Sequence, residues 1–149
     1  MLNYFPMTNA ILTLNYIHVL IVTVAGFLFG WLWHSPLLFA KPWMAEMKIT
    51  EEKMKAAAQK GMAKLFLLGF FFTFLGTFGL AVILNAHQPE TWIKGAMVGG
   101  FIGVAIVGMR YLNTGVWEQR SIKLMAINVG HEALLVAGQG ALLVFLRDF

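Results

Sequence analysis

Glu132 and His131 stand side by side inside an apolar run that extends from about 122 to 146. An acidic side chain at that depth costs about 2.5 to 3.5 kcal/mol if it stays charged and alone. Glu132 must therefore pair, take up a proton or meet water. Ser121, Asn128, Glu132, Leu135 and Gln139 fall within about 60° of one another on a wheel turning 100° per residue, and His131 borders that face. An intramembrane carboxyl on such a face suits a proton carrier. It suits at least as well a group hydrogen-bonded to its neighbours that fixes helix packing.

The N-terminal apolar run, about 11 to 33, offers a facing surface in Asn15, His18, Val22, Gly26 and Trp33. Its Asn15-x-x-His18 echoes Asn128-x-x-His131. A polar cluster of Asn15, His18, Asn128, His131, Glu132 and Gln139, shared between the first and fourth runs, is thus the candidate site. Straight-helix counting puts His18 about 6 Å and His131 about 4 Å on opposite sides of the midplane, so contact between them requires tilt or water.

Other chemistry is poorly supplied. A metalloprotease helix would need a second histidine at 135, where Leu135 stands, and the histidines at 18, 34, 87 and 131 are scattered over different depths. There is no cysteine, which removes thiolate metal sites, disulfides and a cysteine nucleophile. Gly95, Gly99 and Gly103 lack the Lys-Ser/Thr of a phosphate loop and read as a close-packing stripe. On span four, Gly130, Ala133 and Ala137 present a similar small-residue surface. No metal and no cofactor are expected.

These residues must be positioned by membrane helices. The chain has 149 residues, 59% hydrophobic and only 12% charged, too little polar surface for a water-soluble domain. The apolar residues gather into four runs, about 11–33, 65–86, 93–111 and 122–146, within a single transmembrane domain. No Lys or Arg precedes the first run, so it lacks the charged start of a cleavable signal peptide. A polar loop, 34–64, carries Trp33, His34, Ser35, Pro36, Lys41 and Trp43 at its start as an interfacial anchor. Further along, Thr50 reads as a helix N-cap, with Glu51 and Glu52 complementing the dipole of a helix that continues into the second run.

The net charge of +4 follows topology rather than nucleic acid. Lys41, Lys48, Lys53, Lys55, Lys60, Lys64, Arg110, Arg120 and Lys123 flank one side, and only Lys94 and Arg147 the other, with Asp148 closing the far interface. The positive-inside rule then predicts a multi-pass protein of the cell (inner) membrane with both termini outside the cytoplasm.

The stretch Trp33-His34-Ser35-Pro36-Leu37-Leu38-Phe39-Ala40-Lys41-Pro42-Trp43, with Gly61-Met62-Ala63-Lys64 and Asn128 to His131, resembles the domain of unknown function 1761 family. Members are small, mostly bacterial membrane proteins. Tyrosine is common in that family where His34 and His131 stand here. The resemblance implies fold and location and carries no activity or catalytic residue with it.

The sequence therefore predicts an all-α integral membrane four-helix bundle with a partly helical cytoplasmic loop between helices 1 and 2. The expected role is passage or sensing of a proton, ion or small solute along the seam of helices 1 and 4. The alternative is a non-catalytic scaffold or accessory subunit. A lipid enzyme is the lesser option and would need His34 or Glu132 in a headgroup-accessible pocket. The expected partners are the lipid bilayer and further copies of the chain, with no nucleic acid and a substrate of unknown identity.

Overall fold

The computed structural model describes residues 6–59 and 61–147; the Glu51 side chain, Lys60 and Asp148 lie outside the described residues. Within them the chain is helical with no strand, as the sequence predicts. Four helices are long and apolar enough to cross a bilayer: Tyr16–Trp33, Ala63–His87, Trp92–Trp117 and Ile122–Arg147. They are called spans one to four below. Helices suit this setting because hydrocarbon offers no partner for a peptide group, which must bond within its own coil.

The first span is shorter than the apolar run that contains it. A separate helix, Pro6–Leu12, precedes it, and the break falls at Asn15, whose backbone is extended. Asn15 Oδ1 accepts from Ile17 N at 3.1 Å and His18 N at 3.3 Å. The capping chemistry of asparagine thus overrides continuous apolarity.

In the polar loop, Ala40–Glu46 and Glu51–Gln59 are helical. Thr50 caps the second of these, with Lys53 N donating to its Oγ1 at 3.3 Å. That helix does not continue into span two. Gly61 adopts φ +85°, a left-handed conformation that glycine alone takes without strain, and the chain turns there.

Span three runs on to Trp117, past the end at Tyr111 that the sequence suggests, and Ile102–Gly108 within it is a π-helix. Glycine spacing gives the physical reason. Gly95, Gly99 and Gly103 recur every four residues, but the next glycine, Gly108, comes after five. The wider turn absorbs the extra residue and keeps Gly108 facing span four.

Spans pack antiparallel in chain order, and span four touches each of the others while spans two and three barely meet. A Cβ on Gly95 would lie 2.5 Å from Gly140 O, and one on Gly103 would lie 2.8 Å from Glu132 O. Gly99 sits closer still to Val136 O, beside Ala137. The glycine stripe is therefore consumed within the chain, against span four. Leu80, Leu84 and Val144 form a buried apolar cluster that adjoins this contact, with Val98 and Ile102 of span three packed against it.

Candidate functional site

The segment after span one folds back on itself. Ser35, buried, accepts from Leu37 N on its Oγ at 3.3 Å, while its carbonyl takes bonds from Leu38 N and Ala40 N, each at 3.1 Å. Phe39 N then returns to Trp33 O at 3.0 Å. This compact turn lays the Phe39 ring on Trp33, with centroids 4.4 Å apart, and leads into a helix that sets Trp43 edge-on to His34 at 5.3 Å. Pro42 falls in the first turn of that helix, where its missing N–H costs no bond. Pro36 and Lys41 stay exposed on the outer side.

Span four inserts His131 under this turn. Its ring lies parallel to Phe29 with centroids 5.7 Å apart, edge-on to Trp33 at 5.9 Å and tilted to His34 at 5.1 Å. Gly30 and Gly130 make the room: a Cβ on Gly30 would meet His131 Nε2 at 3.3 Å, and one on Gly130 would meet the Trp33 ring at 3.5 Å. His131 Nδ1 lies 3.1 Å from Glu132 Oε1. The histidine side chain is 13% exposed and the glutamate 32%.

Two atoms in this box are buried without a hydrogen-bond partner: Trp33 Nε1 and His131 Nε2. Buried polar atoms in native proteins are nearly always bonded, so each such atom calls for an account. With Glu132 as a carboxylate, Nδ1 of a neutral His131 carries the proton and Nε2 is a bare acceptor. Trp33 Nε1 is a donor only. The box thus holds one free donor and one free acceptor of complementary sense. His34 Nδ1, by contrast, donates to Gly30 O at 3.0 Å.

The other predicted site residues fall into separate pairs. Asn128 Nδ2 donates to Tyr111 OH, which also accepts from Arg120 NH1 at 3.4 Å, and Arg120 Nε reaches Glu118 at 2.5 Å. The Glu118 hydrogen bond first, and Tyr111 second, raise the Arg120 pKa above its ordinary value. Ser121 caps span four by accepting from Leu124 N at 3.1 Å, and donates to Glu46 at 2.6 Å. Gln139 turns to span two, donating to Thr77 Oγ1 at 2.8 Å. Asn15 and His18 pair with each other at 3.1 Å at the end of the bundle where Arg147 lies. The seam of spans one and four is divided: Asn15 and His18 do not join Asn128, His131 and Glu132, because Gln139 and Thr77 stand between.

Sequence reasoning missed Phe29, Gly30, Phe39, Tyr111 and Thr77 as parts of these arrangements. The hallmark stretch contains Phe39 but does not say that it folds back. Tyr111 meets Asn128 from beyond the π-turn, so its place on the helix does not follow from an unbroken 3.6-residue count.

Fold and site together define a polytopic α-helical membrane protein with an ionisable histidine-glutamate pair between its spans. The chain belongs to the family described as protein of unknown function (DUF1761), whose sequence profile matches residues 17–144. That match takes in the Trp33–Trp43 turn and His131. Comparison with curated proteins and with solved structures finds no match.

Proposed function

We propose that this membrane protein senses a proton or a small hydrogen-bonding solute at the box formed by Trp33, His34, His131 and Glu132. The observation that carries the reading is the His131–Glu132 pair at 3.1 Å with Nε2 buried and unbonded on the far side of the ring. A proton arriving at Nε2 turns an acceptor into a donor and places a cation between a carboxylate and the face of Phe29. The reading of passage along the whole seam gains less support, since Gln139 and Thr77 close its middle. On the charge distribution of its loops, the box belongs on the cytoplasmic side of an inner membrane, with both termini opposite.

Side-chain nitrogen NMR of the histidines in detergent micelles tests this reading. A sensor requires the His131 ring signals to respond to pH or to an added solute, and requires that response to differ in Glu132→Gln, whose side chain no longer accepts from Nδ1 as a carboxylate. Ring signals that stay fixed under both, or an unaltered response in Glu132→Gln, remove the idea. Proton flux in proteoliposomes separates sensing from passage: sensing leaves flux at the level of empty vesicles.

A second reading, a scaffold or accessory subunit that self-associates, is favoured by Gly76 and Gly79 on span two. A Cβ on either would meet nothing within 4 Å, so these glycines serve no contact inside the chain. Crosslinking in native membranes tests it, and a strictly solitary chain would contradict it. On either reading the protein is not an enzyme.

A further inference from the structure

The end of the bundle opposite the histidine box holds a cavity of about 280 Å³ that neither reading uses. It exists because the chain breaks before span one. Asn85 of span two donates to Ala10 O at 2.7 Å and Thr13 Oγ1 at 3.0 Å, tying the short N-terminal helix to span two so that Thr13 and Leu14, which follow it, form one wall. Val19, Leu84, Leu143 and Val144 give the cavity an apolar floor. Asn15, His18, Asn85 and Arg147 give it a polar rim.

Among the described residues the rim carries charge of one sign. None of the described lining residues is acidic. Arg147 donates to Gln88 Oε1 at 3.1 Å and to Pro89 O at 2.7 Å, two neutral acceptors that fix the guanidinium while leaving its charge and further N–H groups available. Asn15 Oδ1 is committed to the cap, so its amide nitrogen faces His18 Nε2 as donor, which leaves Nδ1–H as the donor of that ring. A cation and a ring N–H above an apolar floor match a negatively charged head on a short greasy tail. The volume, roughly that of nine waters, accommodates a chain of about six carbons.

We propose that this cavity binds a small amphiphilic anion, a carboxylate or phosphate group bearing a short apolar tail. The site is independent of the proton reading and stands or falls without it.

The full chain in a neutral detergent is titrated calorimetrically with hexanoate, with hexylammonium as the control of opposite charge. Saturable hexanoate binding that Arg147→Gln weakens about tenfold or more, and Arg147→Lys largely keeps, supports the site. Leu143→Trp fills the floor without touching the rim charge and is expected to abolish binding, which guards against a misfolded arginine variant. Competition by dihexanoyl phosphatidic acid assigns the head to a lipid; lack of competition assigns it to a free solute. No binding of either anion, equal binding of hexylammonium, or hexanoate binding indifferent to both Arg147→Gln and Leu143→Trp overturns the proposal.

Discussion

Gln139 Nε2 donates to Thr77 Oγ1 across 2.8 Å, joining span four to span two where both side chains are buried. Thr77 Oγ1 in turn donates a hydrogen bond to Thr73 O at 2.8 Å. This layer is answered by protein groups and separates the histidine box from the cavity at the other end.

Thr77→Val leaves an amide N–H of Gln139 buried and unbonded, at a cost of about 1 to 3 kcal/mol. Adding Gln139→Leu removes the stranded donor, so the double variant is expected to be more stable than the sum of the two single losses. Coupling between polar residues of membrane helices averages about 0.6 kcal/mol, and reversible unfolding in mixed micelles reads it directly. Strict additivity would show that the bond contributes nothing.

Gly99→Ala is expected to destabilise by about 1 to 3 kcal/mol, because the new methyl group meets the Val136 carbonyl, which cannot rotate away. Gly76→Ala meets open space and should be neutral or gain about 0.5 to 1 kcal/mol from helix propensity. Thermal unfolding of the two variants side by side decides the matter. Equal effects would mean that spans three and four do not pack as described.

Register through the π-turn gives a third test. Deleting Ile106, which is exposed, shortens the Gly103-to-Gly108 step to four residues and lets an ordinary α-helix keep Gly108 on Val129. Inserting one alanine after Ile106 instead swings Tyr111 and Gly115 by about 100° away from span four. The deletion is expected to stay monodisperse on size exclusion and the insertion to aggregate or lose melting cooperativity. An insertion tolerated as well as the deletion would refute the register argument.

Just before span three, Glu90 has its pKa lowered from the ordinary value of 4.5 by Lys94 in the first turn of that span, by a hydrogen bond first and by charge second. A lowered carboxylate contributes stability above its unfolded pKa and loses it as pH falls through the folded one. In Lys94→Gln the Glu90 carboxyl signal should therefore titrate at higher pH than in the parent. An unchanged titration would mean that the two side chains do not associate in solution.

Much of the fold was legible because its causes are local. Long apolar runs announce spans, Thr50 announces a cap, and the glycines at 95, 99 and 103 announce a close contact. What stayed hidden depends on neighbours distant in sequence. The wheel placed Gln139 with Glu132, but span two supplied its partner. The Asn15-x-x-His18 echo looked like half of a cluster, whereas Asn15 spends its oxygen on a cap. The extra residue before Gly108 was in plain view, yet only the opposing span shows that the helix must widen to absorb it.

The central place of Ile122–Arg147 has a consequence for biogenesis. Three helices enter the bilayer before the one they all contact has been translated, and until then Gly95, Gly99 and Gly103 rest against acyl chains. Spans one and two can pair as soon as both have inserted, whereas the glycine face of span three finds its partner only when span four follows.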